Sequence, residues 1–278
     1  MKQTVIRWSI VAGAALVVGP IAGRLTGMLR APDGGPDATA FLTSTPILGV
    51  VVTLAAILLA WAYALFATKF LNFKWGMLCA GLIVAWAAWN AGRADAVIRR
   101  VQSPSALWAL AIEGLVWGLV GVVASFFITR ASDRRAAGVD ADAGTRTDSV
   151  KAAGVGILVA GLAATAVARS EMVGQTFLAA VTAGAVGTLV GRIVGHRACV
   201  PASMLACPAL AFLGPAAAAI FHGSGVLDVL YKGDLFALAR IMPLDWLGGM
   251  LIGTAVGVSW AGGMVEKHAP TTELPASI

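Results

Sequence analysis

Of the side chains in this chain that can carry chemistry, the carboxyl of Glu113 stands out by its position. Ser103-Pro104 marks a helix start ahead of a long apolar run. At the rise of an α-helix this places Glu113 about 13 Å along the axis, inside a hydrocarbon slab. A carboxylate at that depth must face the protein interior, pair with a cation or take up a proton. Any of these suits a proton carrier or a cation ligand. The plainer use is a structural hydrogen bond to another helix, or an interfacial position if the span begins later.

Asp245 is the second acid. Pro243 two residues earlier signals a helix start, so Asp245 falls in the first turn, where the helix dipole and free backbone N–H groups favour a carboxylate. Capping is its expected role. If both acids pointed to one axis they would form a pair for a cation or proton, although their depths differ. Asn90 and His222 complete the transport or ion-binding candidates. His222 precedes a Gly-Ser-Gly turn and could sense pH, yet a lone loop histidine is as a rule only solvated. Arg24 and Arg192 lie towards span ends, where a long side chain snorkels.

No nucleophile elbow, phosphate-binding loop, zinc-protease or dinucleotide motif occurs. Cys79, Cys199 and Cys207 show no CxxC spacing and read as small apolar fillers, so neither a metal nor a cofactor is called for. The clustered nucleophile, base or metal set of an enzyme is missing from the pattern.

The elements that must position these residues are membrane helices. Of 278 residues, 59% are hydrophobic and 12% charged, with a mean hydropathy of +0.85. An average soluble domain has about 25% charged residues. A net charge of +6 could point to nucleic acid, but the basic residues are scattered at segment ends, as topology control requires. The expected fold is all-α: a polytopic membrane protein with eight spans, at Val5 to Met28, Ile47 to Phe70, Trp75 to Ala94, Ala106 to Thr129, Ala152 to Arg169, Gln175 to Gly195, Val200 to Phe221 and Leu244 to Val265. The runs are continuously apolar rather than alternating, against a β-barrel. The first is read as a span and not a signal peptide, since no clean A-x-A site follows it.

With the N-terminus inside, twelve of the 20 Lys and Arg residues fall in inner loops and tails and eight outside. This excess puts both termini on the cytoplasmic side of the plasma (inner) membrane of a bacterium-like cell. Residues 130–151 are polar and read as a cytoplasmic linker between a first four-helix half, 1–129, and a second, 152–278, which ends in a short tail.

The halves resemble each other. Gly92, Asp95 and Arg99 align with Gly225, Asp228 and Lys232, and Glu113, Leu119 and Gly121 with Asp245, Leu251 and Gly253. A tandem repeat of four plus four spans would run parallel, about an axis along the membrane normal. Each fourth span follows an amphipathic connector, GRADAVIRRV or VLDVLYKGDLFALARIM, read as a surface anchor or as a lid over a pathway.

Glycines recur every four residues at Gly187, Gly191 and Gly195 and at Gly249, Gly253 and Gly257, and Gly114 and Gly118 flank Glu113. Such stripes admit close helix contact, within the chain or in a homo-oligomer. Trp8, Trp61, Trp75, Trp108, Trp246 and Trp260 fall near predicted span ends and fit an aromatic belt. The expected partner is the lipid bilayer, with a membrane protein or second copy as the further one. Two functions fit: a secondary transporter or channel-like protein for a small solute or ion, or a non-catalytic scaffold that binds a partner protein.

Overall fold

The computed structural model describes residues 2–133, 145–196 and 198–265. Every regular element among them is helical. The first run forms α1 (Lys2–Gly13) and α2 (Gly19–Thr26), joined by a π-helical turn at Ala14–Val18. The widened turn lies against a polar partner: the Tyr63 hydroxyl donates to the Ile10 carbonyl at 2.8 Å. Pro46 opens α3 (Pro46–Thr68), and Asn72 caps α4 (Phe73–Trp89) by accepting from the Lys74 and Trp75 N–H groups. α4 then gives way to α5 (Ala94–Val101) across a 42° bend, so the third run ends earlier than the predicted Ala94.

α6 (Ser105–Asp133) is the longest helix and carries Glu113. Thr145 caps α7 (Arg146–Val167), which is followed by α8 (Val173–Val194). Arg130–Asp133 and Arg146–Lys151 of the expected linker are therefore helical, and 134–144 lie outside the described residues, as do Arg197 and the tail from 266.

The seventh run is not the continuous helix expected. It breaks into α9 (Val200–Met204) and α10 (Ala206–His222), because Pro208 lacks the N–H that would bond the Met204 carbonyl and its ring crowds that carbonyl. The connector VLDVLYKGDLFALARIM is also not one helix. α11 (Val226–Lys232) stops at Gly233, whose φ of +74° is a left-handed stop, and a short 3-10 turn follows at Ala237–Arg240. Tyr231 of this connector is exposed, while Leu230 beside it is buried. Pro243 then starts α12 (Pro243–Val265).

Among the described residues, seven helices are long and apolar enough to cross a membrane, and eight if the bent α4–α5 pair is counted. That is compatible with a multi-pass membrane protein. Large apolar side chains such as Ile47, Leu158 and Leu162 stay on the outside of the bundle, as acyl chains allow.

α12 is the hub. It lies along α8 and α4 and also touches α6, while α6 lies along α10. The glycine stripes form these seams within the chain. A Cβ on Gly249, Gly253 or Gly257 would come within 2.5 Å or less of Ala180 Cβ, the Val181 carbonyl oxygen or the Ala185 carbonyl oxygen of α8. Gly187 and Gly191 meet Gly156, Ala160 and Ala152 of α7 in the same way, and Gly195 meets the Asp148 carbonyl. Gly114 and Gly118 seat α6 on Ala211 and Pro208 of α10. Pro215 leaves the Ala211 carbonyl without an intrahelical donor, and Gly114 lies against that carbonyl. Trp246, expected in an aromatic belt, is fully buried, since the first turn of α12 is enclosed by neighbouring helices. Cys199 is exposed rather than an apolar filler, whereas Cys79 and Cys207 are buried.

Candidate functional site

Glu113 is 1% exposed, two turns into α6. It faces inward and is met by the segment linking α2 to α3. The Thr39 hydroxyl donates to Glu113 Oε2 at 2.6 Å, the Phe41 N–H donates to the same oxygen at 3.1 Å, and the Ala40 N–H donates to Oε1 at 3.3 Å. Thr39 Oγ1 in turn accepts from the Leu42 N–H at 3.2 Å.

The segment is folded so that it can do this. Arg100 of α5 grips Asp33 and Asp37, each at 3.1 Å, the Thr43 hydroxyl donates to the Arg30 carbonyl, and the Gly92 N–H donates to the Ala38 carbonyl. A Cβ on Gly49 would come 2.3 Å from the Ala40 carbonyl oxygen, so the glycine admits the segment onto α3. Ala38, Thr39 and Ala40 are buried, and so this connection enters the bundle rather than lying over it.

Beside the carboxyl lies a small void of about 10 Å³. Glu113, Thr39, Thr53, Leu29, Ala91 and the Met242–Leu244 segment are among its walls. Among the described residues no Lys, Arg or His forms an ion pair with Glu113.

Asp245 is also buried, at 2% exposure, in the first turn of α12 where capping was expected. Its Oδ2 accepts from the Thr176 hydroxyl of α8 at 2.7 Å, and Oδ1 has no hydrogen-bond partner. The acids are not paired with each other by any hydrogen bond among the described residues: Thr39 meets Glu113 and Thr176 meets Asp245. Asn90 ends α4, is exposed, and gives its amide N–H to the Trp86 carbonyl at 2.9 Å, which is a helix-end role. His222 closes α10, half-buried, away from Glu113 and Asp245 in the chain. No group of three or more metal-ligating side chains occurs among the described residues.

A second polar centre escapes notice in the sequence, where Arg240 is only one charge among the loops. Its side chain is buried, donating Nε–H to the Leu235 carbonyl at 2.9 Å, and its other nitrogens to the carbonyls of Arg169 and Gly233. Glu171 lies 3.3 Å from Arg240 Nε. A planar guanidinium reaches several carbonyls at once and an ammonium does not. Arg240→Lys should therefore cost about 2 kcal/mol, since donors to buried carbonyls are lost, read as a fall in the thermal unfolding midpoint in detergent.

The two connectors also meet. Arg99 of α5 lies over the Tyr231 ring of α11, 5.2 Å from its centroid, and Ile98 packs with Val226 and Leu230. Thr39, Thr53, Thr176 and Arg240 are the site residues that sequence reasoning missed. The opposed charges of Asp33 and Asp37 against Arg99-Arg100 were the one available signal for the loop. Comparison of the chain with protein-family models, curated proteins and solved structures finds no match in any of the three.

Proposed function

We propose that this chain is a transporter or channel-like membrane protein for a small solute or ion, with Glu113 as the charged residue of its route and the segment Thr39–Phe41 as a plug that closes it. The observation that carries the reading is the Glu113 carboxyl itself. It is buried on a candidate span and held by a connecting segment rather than by a cationic side chain. A carboxylate in such a place is costly and is retained where ions or protons pass.

The reading includes a tandem duplication, with both termini on the cytoplasmic side of an inner membrane. In each half, an arginine before the last span ties to acids near the start of the second span: Arg100 to Asp33 and Asp37, Arg240 to Glu171. In each half, too, the acid of the last span takes a threonine hydroxyl from that same region, Glu113 from Thr39 and Asp245 from Thr176. The α4–α12 and α6–α10 contacts exchange with one another when the halves are exchanged. These parallels support duplication beyond the alignment of apolar letters.

The test is flux in proteoliposomes. Wild-type protein should carry a monovalent cation or proton current above that of protein-free vesicles, and Glu113→Gln, still folded, should reduce it at least ten-fold. Current equal to that of empty vesicles in both proteins would sink the proposal.

A scaffold that binds a partner protein is the second reading. The tight glycine seams and the small size of the void favour it, because neither offers a wide interior path. Co-purification of one stoichiometric membrane partner, without flux, would decide for it.

A further inference from the structure

We propose that the void beside Glu113 is a binding site for one dehydrated monovalent cation of sodium or lithium size, ligated by the Glu113 carboxylate and the Thr53 hydroxyl. The proposal rests on the reading of Glu113 as an ion ligand, but not on movement of the ion across the membrane.

The first argument is the donor set. The groups that meet Glu113 are the Thr39 hydroxyl and two backbone N–H groups, which donate to it, with the buried Trp117 indole N–H close by and not hydrogen-bonded. The Ala40 and Phe41 N–H groups can only donate and an ionised carboxyl only accepts, so this arrangement suits the charged form. Because the Trp117 indole N–H makes no hydrogen bond, three donors leave one lone-pair site of the roughly four that a carboxylate offers.

The second argument is charge. No cationic side chain among the described residues pairs with this carboxylate. A buried, unpaired charge is strongly unfavourable, and water alone would leave it unbalanced.

The third is independent of Glu113. Thr53 lines the same void, is 1% exposed, and its hydroxyl has no hydrogen-bond partner. Buried hydroxyls nearly always have one, and an orphan facing a void points to a guest.

Size and chemistry then narrow the guest. About 10 Å³ is room for a single water-sized occupant. Calcium takes about six to eight oxygens, and magnesium keeps several of its waters. A single carboxylate with hydroxyls, in a void otherwise walled by Leu29, Ala91 and Met242–Leu244, meets neither need. A small monovalent cation needs fewer ligands and balances the one charge. Thr39 and Ala40 form part of the wall, so a shift of the plug would reshape the site.

The test is thermal unfolding of the full chain in detergent, followed by tryptophan fluorescence. Sodium, lithium or potassium chloride replaces an organic ammonium chloride at constant ionic strength. Sodium or lithium should raise the midpoint saturably. An excess of about 100-fold over Kd would multiply the folding equilibrium constant about 100-fold. Potassium and magnesium should do far less. Thr53→Val keeps the side-chain shape and should weaken the sodium response at least ten-fold while leaving the sodium-free midpoint unchanged or higher. Glu113→Gln should abolish the response, and if that variant does not fold, Thr53→Val carries the test. A midpoint blind to sodium and lithium, one that rises equally with every salt, or a wild-type titration in Thr53→Val would overturn the site. Stabilisation without flux would overturn transport alone, and flux without stabilisation would overturn the site alone.

Discussion

Glu113→Ala is expected to free the segment Thr39–Phe41 from the bundle interior. The substitution strands the Thr39 hydroxyl and the Ala40 and Phe41 N–H groups in a buried place. Each stranded donor costs about 1–3 kcal/mol, so the three together bias the segment outward by at least about 3 kcal/mol. The other fastenings of the segment, Arg100 on Asp33 and Asp37, the Gly92 N–H on the Ala38 carbonyl and Thr43 on the Arg30 carbonyl, lie on either side of the freed part. Amide exchange at Ala40 and Phe41 should accelerate about 100-fold or more, while amides of α11 keep their wild-type rates. Exchange at Ala40 and Phe41 that stays slow would mean that the carboxylate does not hold the segment. Glu113→Gln, which keeps one acceptor oxygen, should fall between the two.

Gly253→Leu should cost more than any other single substitution considered. A Cβ at that position would lie 2.2 Å from the Val181 carbonyl oxygen and 2.7 Å from the Ala185 backbone nitrogen. Neither neighbour is the end of a flexible side chain, so α8 and α12 must separate. Overpacking a core typically costs about 1–3 kcal/mol, and more where backbone has to move. Gly262→Leu is the control on the same helix, since nothing lies within 4 Å of a Cβ there. Gly253→Leu should give little monodisperse protein after solubilisation, and Gly262→Leu a yield near that of wild type. Equal yields would place the α8–α12 seam elsewhere.

The long apolar helices were legible in the sequence, though not their exact number, because length and unbroken apolarity are what a bilayer demands and both can be read one run at a time. The inward turn of Glu113 was legible for the same reason: a charge at that depth has few places to go. What holds Glu113 was not, because Thr39 is 74 residues away and its segment has the Gly, Pro and Asp content of an ordinary surface turn. The break at Leu205 could have been inferred from Pro208, but the apolarity of the run continues through it. Arg240 stayed hidden because its partners are mainly backbone carbonyls, which no side-chain pattern marks. Trp246 was misplaced by a rule about span ends that holds only for helices touching lipid.

The place of α12 at the hub bears on how the chain is made. Its central stretch is the least apolar of the seven candidate spans and, with that of Val200–Lys232, the most enclosed, at 61% buried against 22% for the first span. Made after the other candidate spans described, this helix has the weakest affinity for acyl chains and a large set of protein neighbours waiting for it. Its insertion is therefore a docking event as much as a partitioning one, and α4, α6 and α8 stand with unfilled grooves until it arrives. A chain interrupted ahead of α12 would be stranded in that unfinished condition, open to membrane proteases.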